Sequence, residues 1–476
     1  MLQKTKRIFS LCRLRPFDTS TSEGRSNERF RRAALTTVSA GGARAISLLA
    51  ALISVPLTFR YLGPERYGIW MVLISIISVM GFADLGIGNG LINTISEAYG
   101  KDDHALAKEH LTSAFVMLLS VAVVLAVAGV VVYPFVPWLR LFNVSTWSVA
   151  VEGARAFLVL YSWFVISIPL GVVARVQAGL QQGYLPQIIG AFGSISTLLA
   201  LLVVIALHGN LAWLVFASTF GAVVGTLVNG WLLFREHPWL VPSLHAFRQD
   251  SAKKVLRLGL MFFVLQCAVA VGYTSDNIVI AQILGAAAVA SYAVPQKLFS
   301  FVGMLVGMGI TPLWPAYGEA LARGDVAWVR RVFLGSLWLT LAISVPLCTL
   351  LALAGPWILK VAVGKSLEAP ILLLVVLGLW GVVSSVSAPI AMLLNGAGAI
   401  KAQTLIAVIA SLTNLAVSVF LTRRFGVIGV CSGSIITQIL IVFPGCSLVI
   451  KSLFRNFTNA IIDDSLSQRT LQSVTE

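Results

Sequence analysis

Arg44, Asp84, Arg155, Asp276 and Lys297 are ionisable residues set inside runs that are otherwise apolar. A charge at the centre of a bilayer costs at least about 2.5–3.5 kcal/mol on insertion scales, so such a residue normally faces a cavity or a partner. The cations suit a phosphate ligand. A guanidinium is a planar fork that binds phosphate in bidentate fashion, and an ammonium is a compact point charge. The carboxylates suit the carriage of a proton or Na⁺. Arg44 and Lys297 are therefore predicted to contact an anionic headgroup, with Arg155 a further member of a cationic cavity. Asp84 and Asp276 are predicted to serve ion coupling or a charge pair. For Arg44 and Asp84 a mutual structural ion pair is the competing reading. For Arg155 and Arg175, near the two ends of one apolar run, it is snorkelling to lipid headgroups. No catalytic residue, metal or cofactor is expected. The five cysteines form no C-x-x-C and mostly lie in apolar runs, as small buried hydrophobes do.

The elements that must position these residues follow from composition. The chain has 476 residues, 58% of them hydrophobic and 11% charged, and a mean hydropathy of +0.91. Soluble domains carry about 25% charged residues, so a string of soluble modules is excluded, and disorder is excluded by the high hydrophobicity. Twelve stretches are long and apolar enough to span a bilayer: 33–59, 67–95, 112–133, 151–174, 187–207, 211–234, 256–283, 286–311, 331–353, 368–394, 401–421 and 426–450. They lack the ten-residue alternation of barrel strands. The fold class is an all-α polytopic membrane protein of about 12 transmembrane helices. The apolar run after the basic N-terminus is too long for a cleaved signal. The segment Lys6–Phe17 reads equally as a basic amphipathic helix on the membrane surface or as plain disorder.

A net charge of +15 would suggest nucleic acid in a soluble protein. Sorting the cations removes that reading. With the N-terminus cytoplasmic, 23 of the 34 Lys and Arg fall in inner segments and seven in outer ones. That asymmetry places both termini inside the cell.

The two halves also repeat. A shift of 222 lays Leu62-Gly63 on Leu284-Gly285, Trp70 on Tyr292, Glu97-Ala98 on Glu319-Ala320 and Asp103 on Asp325. A shift of 217 lays Gly179 on Gly396 and Gly209 on Gly426. The organisation read from this has five parts. They are a basic cytoplasmic tail (1–32), an N-lobe of six spans (33–234), a cytoplasmic linker (235–255), a C-lobe of six spans (256–450) and a C-terminal tail (451–476). Six is even, so the repeat is parallel, and two such lobes around a central cleft suit alternating access. Prolines in or at the ends of spans, among them Pro169, Pro295 and Pro389, read equally as bends or breaks and as the ordinary proline of membrane helices.

The run Arg60-Tyr-Leu-Gly-Pro-Glu-Arg-Tyr-Gly-Ile-Trp70 resembles the multidrug/oligosaccharidyl-lipid/polysaccharide exporter superfamily, in particular its bacterial polysaccharide (O-antigen type) flippases. Asp84-Leu-Gly-Ile-Gly-Asn89, Leu393-Leu-Asn-Gly-Ala-Gly398 with Lys401, and Asn414 with Phe425-Gly-Val-Ile-Gly429 are similar to that family's second helix, its turn after the tenth and its last-helix entry. The resemblance covers about residues 30–450. It implies flipping of an undecaprenyl-pyrophosphate-linked oligosaccharide from the cytoplasmic to the periplasmic leaflet of the bacterial inner membrane. The partners it implies are that lipid-linked substrate, membrane lipids, a coupling proton or Na⁺, and contact with the glycan polymerisation machinery.

Three alternatives stand beside it. A cation-coupled drug exporter of the same superfamily would carry acidic residues in its cavity. A lipid II flippase would have fourteen spans. A membrane enzyme of the glycan pathway would need a large loop bearing acid–base residues, and the longest outer loop, 134–150, has no Asp, Glu or His.

Overall fold

The computed structural model describes residues 15–142, 144, 146–363 and 370–456. Lys4, Lys6, Arg7, Cys12, Arg13, Lys365 and Arg469 lie outside the described residues, as does most of the Lys6–Phe17 segment. Every regular element among the described residues is helical, as hydrocarbon demands of a spanning backbone that does not close into a barrel. Among the described residues, eleven helices are long and apolar enough to cross a membrane. The first, α1 (Ser22–Val79), bends at Gly63 (φ 71°, ψ 173°) and carries two of the expected spans, so the count of about twelve stands. It begins at Ser22, inside the expected tail.

The chain divides into two units, Met1–Leu260 and Met261–Glu476. Unit 1 continues with α2 (Ile87–Gly100), α3 (His104–Val132), a short α4 (Trp138–Phe142), α5 (Trp147–Leu170), α6 (Val172–Gly179), α7 (Tyr184–Ala206) and α8 (Leu211–Glu236). The first turns of α9 (Gln249–Leu284) complete it. Unit 2 holds the rest of α9, α10 (Ala286–Ile310), α11 (Leu313–Ala322), α12 (Val326–Val363), α13 (Ile371–Gly396), α14 (Ile400–Phe425) and α15 (Val427–Thr437). A π-helical turn (Gln438–Val442) follows, then helix over residues 443–456.

The expected linker is partly helix. It contains two short 3₁₀ turns and the start of α9. That start packs on α2. A Cβ on Gly90 would stand 2.8 Å from the Val255 carbonyl oxygen, so only glycine permits the approach. Lys254 Nζ donates to Glu97 Oε2 at 2.8 Å.

The repeat is visible in what corresponding side chains do. Gly63 and Gly285 both take positive φ at a helix junction. Glu97 pairs with Lys101, and Glu319 with Arg323. Asp103 caps α3 by accepting from the Leu106 amide at 2.9 Å, and Asp325 caps α12 by accepting from the Trp328 amide at 3.3 Å. Gly179 lies against Ile95, and Gly396 against Tyr317. Chance identity between apolar helices would not reproduce paired functions of this kind.

Two sequence expectations are corrected. The second span is not a continuous helix over 67–95. Helix α1 stops at Val79, a 3₁₀ turn covers Met80–Phe82, and Leu85 (φ 50°) and Gly86 (φ 70°) adopt left-handed conformations before α2 begins. Asp84 accounts for the break. Its Oδ1 accepts from the Gly86 amide at 2.9 Å, a local bond that competes with the helix. Conversely, no break occurs at Pro295, which sits inside the continuous α10. Membrane helices tolerate proline where neighbours or local adjustments satisfy the freed backbone.

Each unit has its own apolar core. In unit 1 it is built around Ile87, Leu91, Ile95, Leu111 and Val176, and in unit 2 around Ile280, Tyr292, Leu374, Leu377 and Val430. Cys348, Cys431 and Cys446 are buried and unpaired, filling core space.

Candidate functional site

Unit 1 holds a cavity of about 480 Å³ between α1, the α5/α6 junction, α7 and α8. Glycine makes the room. A Cβ on Gly221 would stand 1.8 Å from the Gly193 carbonyl oxygen, so α7 and α8 touch backbone to backbone there. The polar groups around the cavity satisfy one another. Ser47 Oγ and Ser194 Oγ are 2.9 Å apart, and the Gly221 amide donates to Thr197 Oγ1 at 3.2 Å. Asn229 and Gln177 exchange two bonds of 2.7 and 2.8 Å. No Asp, Glu, Lys or Arg lines it.

Arg44 lies one turn before Ser47 on the same face of α1, because 44, 47, 51 and 54 follow the helical repeat. It is exposed, and its side chain makes no hydrogen bond or ion pair to any described residue. The Arg44–Asp84 pair considered from sequence is therefore not formed. Asp84 instead sits half-buried in the break before α2, with Arg175 on α6 close by. Arg175 Nε and Asp84 Oδ2 come within 2.9 and 3.1 Å of the point where a Cβ on Gly88 would stand. Arg175 also donates to Asn89 Oδ1 at 2.9 Å. Asn89 and Arg175 thus form a polar knot beside Asp84 that ties α6 to α2. Arg155 is exposed on α5 and unconnected to the knot. Arg66 is exposed and bonded to Glu152 Oε2 at 2.8 Å, and Glu152 Oε1 accepts from the Leu211 amide at 2.8 Å.

In unit 2, Asp276 is 3% exposed. Its Oδ2 accepts from Tyr292 Oη at 2.8 Å, while its Oδ1 is buried with no partner among the described residues. The tyrosine comes from α10, one element along, and packs in the unit 2 core. Lys297, on the same α10, is exposed, and its ammonium makes no bond to a described residue.

A second cavity, of about 350 Å³, lies between α9, α13, α14 and α15 with its π turn. These are the first, fourth, fifth and sixth spans of unit 2, the counterparts of the helices around the unit 1 cavity. Asp276 lies one turn beyond Gly272, which lines this cavity. Under the 222-residue shift Asp276 matches Ser54, which lines the cavity of unit 1.

Reading by charge missed the neutral polar residues of the second cavity, notably Gln403, Asn414, Thr437 and Gln438. Spacing could have found some of them. Gln403, Ala407, Ser411 and Asn414 recur on one face of α14, a small and polar stripe inside an apolar span.

The comparisons with known proteins agree with this architecture. The family model described as polysaccharide biosynthesis protein matches residues 36–320, and the MatE model matches 262–420. A Yersinia pseudotuberculosis protein named for O-antigen export is 22% identical over 293 residues, which are 61% of this chain and 66% of that protein, just under two thirds of its length. A Salmonella typhi protein named for O-antigen transport is 23% identical over 395 residues, 83% of this chain and 90% of that protein.

Among solved structures, the outward-facing conformation of a multidrug resistance MATE family transporter of the MOP superfamily superposes with a TM-score of 0.74 at 16% identity, covering 89% of this chain and 96% of that one. A MOP superfamily transporter from Pyrococcus furiosus, described as having a binding pocket of reverse polarity, superposes with a TM-score of 0.71 at 15% identity, with the same coverage. At these identities the structures establish the fold, and the sequence match establishes the family: the chain belongs to the polysaccharide biosynthesis proteins, as its resemblance to the flippase motifs implied, and is built on the two-unit fold of MOP superfamily transporters.

Proposed function

We propose that the protein is a flippase that moves an undecaprenyl-pyrophosphate-linked oligosaccharide from the cytoplasmic to the periplasmic leaflet of the bacterial inner membrane by alternating access, coupled to a proton or Na⁺. The observation that carries this reading is electrostatic. No carboxylate lines the cavity of either unit, while each unit exposes an uncompensated cation on a spanning helix, Arg44 on α1 and Lys297 on α10. A cationic drug would meet no counter-charge in either cavity, whereas a pyrophosphate would meet cations along its path. Arg155, exposed on α5, is a further member of that path. The names of the relatives support an O-antigen type glycan over lipid II, and transport over catalysis. The cation asymmetry of the loops supports cytoplasmic termini.

The direct test is reconstitution. Proteoliposomes containing the full-length protein and a polyprenyl-pyrophosphate oligosaccharide are expected to make that glycan accessible to an external lectin in a time-dependent manner. Accessibility no faster than in protein-free vesicles would overturn the reading.

Asp276 is the proposed ion carrier. It is buried, faces the core of one unit and has an oxygen left over for a proton or a cation. Asp84 is the lesser candidate, since its Oδ1 is engaged with the Gly86 amide. Asp276→Asn keeps an acceptor for Tyr292 Oη and the same volume. The variant is expected to fold normally and to lose gradient-driven translocation in the vesicle assay. Translocation at the unsubstituted rate would remove Asp276 from the coupling role.

A further inference from the structure

We propose that the cavity of unit 2 is a subsite for a neutral sugar ring of the cargo, a role that rests on the transport reading above and extends it from the phosphate end of the substrate to the glycan. The cavity is lined by side chains without formal charge, including the amides of Gln403, Asn414 and Gln438 and the indole of Trp380. Amides and hydroxyls recognise sugar hydroxyls, and an aromatic face packs against the C–H side of a pyranose. The volume of about 350 Å³ falls in the range of about 300–1,000 Å³ typical of small-molecule sites.

The decisive feature is that two of its lining residues carry a buried polar atom without a partner. Gln403 Oε1 and Thr437 Oγ1 make no hydrogen bond among the described residues, although the two residues are only 8% and 4% exposed. A buried polar atom left unpaired is costly, and it calls for a ligand or an ordered water. The groups around them are already engaged. Asn414 Nδ2 donates to the Gly272 carbonyl at 3.4 Å, and its Oδ1 accepts from Ser418 Oγ at 3.1 Å and Ser434 Oγ at 3.3 Å. Gln438 Nε2 donates to Ser387 Oγ at 2.6 Å, and Ser411 Oγ to the Ala268 carbonyl at 2.7 Å. The frame is therefore set before any ligand arrives, with one carbonyl acceptor and one hydroxyl beside it left unpaired among the described residues.

Thr437 also immediately precedes the π-helical turn, where the Phe443 amide reaches back to the Gln438 carbonyl. Such turns recur at functional sites. The equivalent cavity of unit 1 shows the contrast: its polar atoms pair with one another, and none of its lining side chains carries an unpartnered buried atom.

The test uses the full-length protein in nanodiscs and two probes, undecaprenyl pyrophosphate and the undecaprenyl-pyrophosphate oligosaccharide extracted from the same host. Thr437→Val and Gln403→Leu are close in shape to the residues they replace. Each is expected to weaken binding of the oligosaccharide-bearing lipid roughly three- to tenfold, the effect of one neutral hydrogen bond, and to leave the bare pyrophosphate lipid unchanged. Equal loss for both lipids, or loss for neither, would overturn the subsite. So would a loss that vanishes in sodium-free buffer, which would make the cavity a cation site. If the unsubstituted protein binds neither lipid, the transport reading itself falls. Melting curves accompany the binding data, and should Gln403→Leu unfold, Thr437→Val decides alone.

Discussion

Glu28→Ala is expected to destabilise unit 1 by about 3–5 kcal/mol, the effect of breaking a buried ion pair from one side. Glu28 is 4% exposed and is the acceptor at the centre of a dense cluster near the start of α1. It receives the Phe17 amide at 3.0 Å, Arg31 Nε at 2.8 Å and Nη2 at 2.6 Å, and Arg32 Nε at 2.8 Å. Arg32 in turn donates to the Leu180 carbonyl at 2.8 Å and Tyr99 Oη at 3.2 Å, tying α1 to α2 and to the end of α6. Removing the carboxylate takes the shared counter-ion from two guanidiniums that hold these elements together. The expected readout is a lowered melting temperature of the detergent-purified protein and reduced abundance in membranes. Glu28→Gln keeps the shape without the charge and should fall between. An unchanged melting temperature for Glu28→Ala would show that the cluster does not hold the helix in place.

Arg44→Ala and Lys297→Ala are expected to do the reverse, abolishing surface glycan while leaving protein abundance intact. Neither side chain bonds to a described residue, and both are exposed, so truncation removes no bond or ion pair to a described residue and should stay within about 0.5 kcal/mol of the parent stability. On the proposed role it removes a charge-assisted bond to a pyrophosphate, worth about 1.5–3 kcal/mol, or roughly ten- to a hundredfold in affinity. Arg44→Lys retains the charge but not the fork, and should recover activity in part. The measurement is glycan display in cells deleted for the chromosomal copy, with membrane abundance followed by immunoblot. Display that survives both substitutions would sink the cationic-path hypothesis.

The polar groups that shape this protein were unequally legible. Asp276 stood out because a carboxylate inside an apolar span has few explanations, and the structure leaves it 3% exposed. Asp84 stood out for the same reason but proved to be a local backbone partner at a helix break. Its sequence neighbourhood looked like a continuous span because hydropathy reports transfer to lipid and not φ and ψ. Gln403 and Thr437 were passed over because a neutral polar residue costs a span little, and nothing in one dimension shows that its bond is unmade.

The amino-acid sequence by itself determined that the chain is a helical membrane protein with two repeated halves. Hydrophobic length is a property of consecutive residues, and a repeat is a comparison of the chain with itself. Gly63 with Gly285, Glu97 with Glu319 and Asp103 with Asp325 were therefore readable in order along the chain. Only the tertiary structure decided which charges are paired. Glu28 joins Arg31 and Arg32, Arg66 joins Glu152, Arg175 bonds to Asn89 and not to Asp84, and Arg44 pairs with no described residue. It also decided that each unit hollows out a neutral cavity among the same four of its spans. Pairing and hollowing depend on distances between residues far apart in the chain, set by where glycine backbones let helices touch, and no local pattern encodes those distances.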